Sequence, residues 1–208
     1  MRKLAAVLVF TTIAVSSYAQ NQKKWIPADR AVACAEARDK DLCAQLLTLV
    51  DRDQFARYAE INDPGNEALK KETERVDDEN IVELEAILEK HGWPGKTLVG
   101  TKASGAVWTI IQHSEHATLK KHLPLMTKAA EAGEIDGGLL ATSIDRVRVG
   151  DGLPQVYGTQ FRQVDGKWVP QPIEDEANVD ERRKSVGLGP LAEYQALFQQ
   201  MHARKAKE

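Results

Sequence analysis

The chain has 208 residues, of which 42% are hydrophobic and 28% charged, with 28 Lys and Arg against 31 Asp and Glu. That is enough apolar material for one globular core, and it excludes a disordered or fibrous polypeptide. At the amino end Arg2 and Lys3 precede the apolar run Leu4 to Val15, and Ser17-Tyr18-Ala19 supplies the small residues that a signal peptidase reads, so residues 1–19 are expected to be a secretory signal peptide. Its loss removes two basic side chains and no acidic one, which moves the formal charge from −3 to −5 over the remaining 189 residues. An acidic mature chain lacks the clustered Lys and Arg that supply most nucleic-acid affinity, so no nucleic-acid partner is expected. The apolar run falls short of the roughly twenty residues that span a bilayer, and no later segment approaches that length. The mature protein is therefore expected in the periplasm or outside the cell, with no membrane span.

Residues 20–28 have no periodicity and read as an arm, followed by one domain over 29–205. From Asp29 the pattern is helical to about Glu60, with Leu42, Leu46, Leu49 and Val50 on one face. Cys34 and Cys43, the only cysteines, are candidates for a disulfide in an exported chain. Residues nine apart on one straight helix point to opposite faces about 13.5 Å apart along the axis, so a bridge requires a break, with Asp39 or Asp41 capping a new start. The alternative is two small buried hydrophobes on successive turns of one helix. Asp63-Pro64 is expected to restart a helix along which Leu69, Val76, Asn80, Leu84 and Ile87 recur, ending at Gly92-Trp93-Pro94. A loop to Gly100 leads to a third helix over about Lys102 to Ala117, then a fourth capped by Thr118 and carrying Pro124, and a fifth from about Leu139 to Gly150. The period then changes to two: Gln155 to Val164 and Lys167 to Ile173 read as strands joined by Asp165-Gly166, a hairpin near 155–173. Two helices, Val179 to Val186 and Pro190 to about Ala203, complete a mainly α fold, a compact single-domain bundle of six or seven helices with one small antiparallel β-hairpin.

No catalytic signature stands out: there is no His-Glu-x-x-His, no phosphate-binding Gly loop and no Gly-x-Ser-x-Gly. The polar residues that fall on or beside apolar stripes form three sets. Gln112-His113-Ser114-Glu115-His116 places an imidazole at the border of a buried face, where His113 can act as a base or as a hydrogen-bonded helix-end histidine. His113 and His116 one turn apart supply only two nitrogens, a third ligand would have to come from elsewhere, such as Asp145, and no metal and no cofactor are expected. Asp145-Arg146 with Gln155, Tyr157, Gly158, Thr159 and Gln160 forms the second set, in which Tyr157 either faces a ligand or packs under the hairpin. Asp53, Gln54 and Arg57 with Asn80 form the third, readable as a buried ion pair or a ligand clamp.

Taken together and in this order, Asp53-Gln54 with Arg57, Asn80, Gly92-Trp93-Pro94, Val99-Gly100, Gln112-His113, Asp145-Arg146-Val147, Gln155-x-Tyr157-Gly158-Thr159-Gln160 and Arg183 with Gly187-Leu188 resemble a bacterial family known as domain of unknown function 6624, over about residues 42–198. In that family Gln-His is usually followed by Ala-Asp, so the acid here is Glu115. The resemblance implies no reaction, but it singles out His113 over His91, His116, His122 and His202. Two functions follow as expectations. The favoured one is an exported, noncatalytic binding or envelope-maintenance domain with a polar network centred on His113, whose partner is a polar small molecule or an envelope protein. The other is an exported hydrolase with His113 as general base, Glu115 or Asp145 orienting it, and Arg57, Asn80, Gln112, Arg146, Tyr157 and Gln160 holding the substrate. On either reading His113, Asp145, Tyr157 and Gln160 are expected to lie close together.

Overall fold

A computed structural model describes the backbone of residues 30–205 and the side chains of residues 30–200. The expected signal peptide and the arm lie outside the described residues. The helices are α1 (Arg30–Ala33), α2 (Lys40–Asn62), α3 (Glu67–His91), α4 (Lys96–His113), α5 (His116–Glu131), α6 (Gly137–Gly150), α7 (Val179–Ser185) and α8 (Leu191–Lys205). The strands β1 (Phe161–Val164) and β2 (Lys167–Pro170) pair antiparallel between α6 and α7. Among the described residues no helix is long and apolar enough to cross a membrane.

The break that a disulfide demands is present. After the single turn of α1, the backbone bends, and Asp39 opens α2 by accepting the amide hydrogen of Leu42 at 2.9 Å. This brings the Cα atoms of Cys34 and Cys43 to 5.9 Å, and the two are bonded and buried. Along α2 the buried positions Leu42, Leu46, Leu49, Asp53 and Ala56 step by three and four, so a carboxylate occupies a stripe that is otherwise core. The stripe of α3 runs Thr73, Val76, Asn80, Leu84 and Ile87. α2 packs against both α3 and α4, and Leu46, Leu49, Leu84, Val99, Val107 and Ile111 fill the space between them. Each such side chain contributes about 1.5–3 kcal/mol by leaving water.

Four differences from the sequence reading have a local reason, and in addition α5, expected to be capped by Thr118, opens at His116 after Glu115. α3 begins at Glu67 rather than at Pro64, because Gly65 turns the chain at φ +90° and Asn66, not Asp63, accepts the amide hydrogens of Ala68 and Leu69. α4 begins at Lys96, its first turn set off from the rest by Gly100 at φ +80° and ψ 160°. It stops at His113 instead of Ala117, with Ser114 and Glu115 forming a corner, so His113 and His116 lie on different helices. The fourth difference is in the hairpin. Asp165 and Gly166, both at positive φ, make the expected two-residue turn, but the ladder covers only Phe161 to Pro170. Residues 155–160 are irregular apart from a single bridge from Gln155 to Ile173, so the expected two-residue alternation of side chains does not hold there.

Candidate functional site

The irregular segment is irregular because it wraps a carboxylate. Asp145 of α6 has no exposed surface. Its Oδ1 accepts from the backbone N–H of Val156 (2.7 Å) and Tyr157 (3.0 Å), and its Oδ2 accepts from the N–H (2.9 Å) and hydroxyl (2.9 Å) of Thr159. Donors that would otherwise have sought a neighbouring strand are taken by one side chain. Gln155, also fully buried, donates to the carbonyls of Gln160 and Gln171 and accepts from the Gln160 N–H. Arg183, 1% exposed, donates to the carbonyls of Tyr157 and Gly189 and lies over the Tyr194 ring at 5.1 Å. This network ties α6, the hairpin and the last two helices together, and its polar atoms are spent on one another.

His113 belongs to a second network, with other partners. Its Nδ1 stands 2.7 Å from Oδ1 of Asp53, sixty residues earlier, and 2.9 Å from Nε of Arg57. One ring nitrogen cannot both donate to a carboxylate and accept from a guanidinium, so the proton on Nδ1 decides which partner it serves. Arg57 is held on its far side by a bidentate pair to Asp77 of α3, at 2.6 and 2.7 Å. Gln54 donates to the other oxygen of Asp53 at 2.7 Å. Burial alone would raise the Asp53 carboxyl, but the hydrogen bond and charge of His113, together with Arg57 and Gln54, hold it below the usual carboxylate range. Asp77 goes the other way: burial pushes it up more than Arg57 pulls it down.

The Asp53 and Asp145 networks approach each other along the last turn of α4. Gln112 is buried beside His113 and donates to the Ser143 hydroxyl, and its Oε1 accepts from Arg146 at 3.4 Å. Asn80 is buried one turn beyond Asp77 and donates to the Leu49 carbonyl at 3.0 Å. The hydrogen bonds of His113 therefore run to Asp53 and Arg57, those of Asp145 to the backbone of 156–159, and Tyr157 and Gln160 belong with Asp145. Glu115 sits at the corner after α4 and lines the same cleft as His113. That cleft, about 380 Å³, is walled by Glu74, Asp77, Asp78, His113 and Glu115. His113 is 26% exposed there, and its Nε2 makes no hydrogen bond among the described residues. His116 pairs instead with Asp151, and His122 with Glu85. No group of three or more His, Cys, Asp or Glu among the described residues is arranged to hold a metal.

Glu74, Asp77 and Asp78, the acidic wall that α3 gives the cleft, are absent from the sequence reading. The available signal is spacing: Asp77 lies three residues before Asn80, on the flank of the α3 stripe, which turns it toward α2.

A comparison with protein-family profiles matches residues 40–207 to the family of unknown function DUF6624. The chain belongs to DUF6624. The match takes in both networks, from Asp53 on α2 to Arg183 on α7. No curated protein and no solved structure is significantly similar to the chain.

Proposed function

We propose that this DUF6624 protein is an exported, noncatalytic binding domain of the cell envelope, and that it holds a polar small molecule at the His113 cleft. One observation carries the reading: the imidazole is fixed from behind by Asp53 and Arg57 while its other nitrogen has no hydrogen-bond partner among the described residues, at the wall of an open cleft. Preorganised polar groups at a concave site are what small-ligand recognition uses. The cleft wall offers carboxylates beside the imidazole, and its Ser114 hydroxyl donates back to the Ile111 carbonyl at 2.7 Å rather than standing free as a nucleophile. Asp145, Gln155 and Thr159 act structurally, holding the hairpin segment against the bundle. Export is supported by the charged and apolar start of the sequence and is consistent with the Cys34–Cys43 bridge, which persists in oxidising compartments.

The test is native mass spectrometry of the mature protein after exposure to small molecules from an envelope extract. A retained ligand that His113→Ala loses, while the variant still unfolds cooperatively, supports the reading. Undiminished retention by the variant, or no retained ligand, overturns it.

Hydrolysis has one observation in its favour, the carboxylate beside Nδ1, which would orient the ring with Nε2 as base. The Arg57 N–H pointing at the same nitrogen opposes that tautomer. Turnover of ester, amide or phosphoester probes that disappears in His113→Ala would favour the hydrolase.

A further inference from the structure

The cleft beside His113 has two walls. Glu74, Asp77 and Asp78 line it from α3, and His113 and Glu115 line it from the end of α4 and the corner that follows. Elsewhere on these helices acids are matched by bases: Arg52 meets Glu83, Arg75 meets Glu72 and Glu79, and Lys121 and His122 meet Glu85. In the cleft, Asp77 is matched from behind by Arg57, while Glu74, Asp78 and Glu115 have no ion-pair partner among the described residues. The Arg57 charge is already shared between Asp53 and Asp77, and burial raises the Asp77 carboxyl in spite of that pairing. The wall is short of positive charge.

The imidazole adds a hydrogen-bonding requirement to this electrostatic one. With the Nδ1 proton donated to Asp53 Oδ1 at 2.7 Å, Nε2 presents a lone pair to the cleft. Arg57 Nε, 2.9 Å from the same Nδ1, has a second acceptor already in place, since Asp53 Oδ1 stands 3.3 Å away. In that arrangement the four carboxylates and the ring nitrogen all accept hydrogen bonds. Such a wall repels an anion and is complementary to a cation that carries several N–H donors. No three of these groups are arranged to hold a metal ion, which favours a cation that reaches acceptors at wider spacing. Ile81 contributes an apolar patch, and a volume of about 380 Å³ admits a short carbon chain.

We propose that the ligand of the His113 cleft carries a protonated primary amine on a short carbon chain, whose N–H groups are received by His113 Nε2 and the carboxylates of Asp78 and Glu115. This rests on the reading of the His113 cleft as the binding site, and it adds the charge and donor character of the ligand. Occupancy also selects between the two partners of Nδ1. A cation against Nε2 excludes a proton there, so the ring stays neutral with its proton toward Asp53, and Arg57 Nε passes to the Asp53 carboxylate.

The experiment is calorimetric titration of putrescine and, separately, of succinate and magnesium chloride into the mature protein in low-salt buffer near neutral pH. Wild type is compared with Asp78→Asn, Glu115→Gln, the double variant and Glu83→Gln, all of them changes at exposed positions that leave the core intact. Saturable binding of putrescine and none of succinate is expected. Each single cleft variant should weaken putrescine about threefold and the double variant about tenfold, while Glu83→Gln, on α3 but outside the cleft, should stay within about twofold. Proton–nitrogen correlation spectra of the His113 ring in the putrescine complex should show Nδ1 protonated and Nε2 bare. Absence of saturable putrescine binding, undiminished binding by the double variant, saturable binding of succinate, or a proton on Nε2 in the complex overturns the assignment. Displacement of putrescine by magnesium at equal concentration overturns it in favour of a metal ion. A neutral or anionic ligand, recovered from extract and lost in His113→Ala, would remove the ammonium group and leave the cleft standing.

Discussion

Asp53 has almost no access to water, yet it carries a charge into the seam between α2 and α4 and satisfies three side chains with it. Because its folded carboxyl lies below its unfolded value of about 3.9, its contribution is fully present above that value and is lost as pH falls through the lower folded one. Asp53→Asn should therefore cost about 1–3 kcal/mol near pH 7 and flatten the acid side of the stability profile, measured by urea unfolding from pH 3 to 7. A profile as steep as wild type would mean that other carboxylates set the acid limb. Asp145 makes a sharper case, since its oxygens face N–H donors from three residues. Asp145→Asn turns one acceptor into a donor pointed at donors, and a loss of about 2–3 kcal/mol is expected. Amide exchange should quicken at Val156, Tyr157 and Thr159, and unchanged protection there would contradict the role given to this carboxylate.

The elements divide by how local their causes are. Periodicity and stop signals placed α3, with Asn80 on its stripe and Gly92 at its end, and Asp165-Gly166 specified its turn from two residues alone. The path of residues 155–160 was not legible, because it is dictated by a carboxylate on another element rather than by alternation in its own sequence. The same limit applied to His113: its position at the edge of a buried face could be read from spacing, whereas Asp53 as its partner depends on how α2 lies against α4. The disulfide was open for a similar reason, since only the break opened by Asp39 lets Cys34 reach Cys43. Breaking that bridge with paired Ser substitutions should lower stability by about 2–4 kcal/mol in thermal or urea unfolding, and a loss below about 0.5 kcal/mol would show that the reduced chain already holds this bend. Gly166→Ala, which forces a side chain to φ +75°, should cost about 1 kcal/mol and act on the hairpin alone.

For the whole molecule, the expected export leads to a mature chain beginning at Gln20, to be read by intact mass spectrometry of the envelope fraction, where an uncleaved Met1 form would refute it. Across the fold, helices α2 to α6 build a core from apolar faces that complete one another, while the segment leading into the hairpin docks on Asp145 of α6 and the strands themselves pack against α8. The Asp145 cradle thus carries a temporal consequence. Four amide and hydroxyl hydrogens cannot converge on that carboxylate until α6 is fixed in the bundle, so the segment beyond α6 is expected to assemble after the helical core, on a template already in place. In stopped-flow experiments Asp145→Asn should then accelerate unfolding and leave the refolding rate nearly unchanged, whereas a matching slowdown in refolding would place the hairpin in the nucleus.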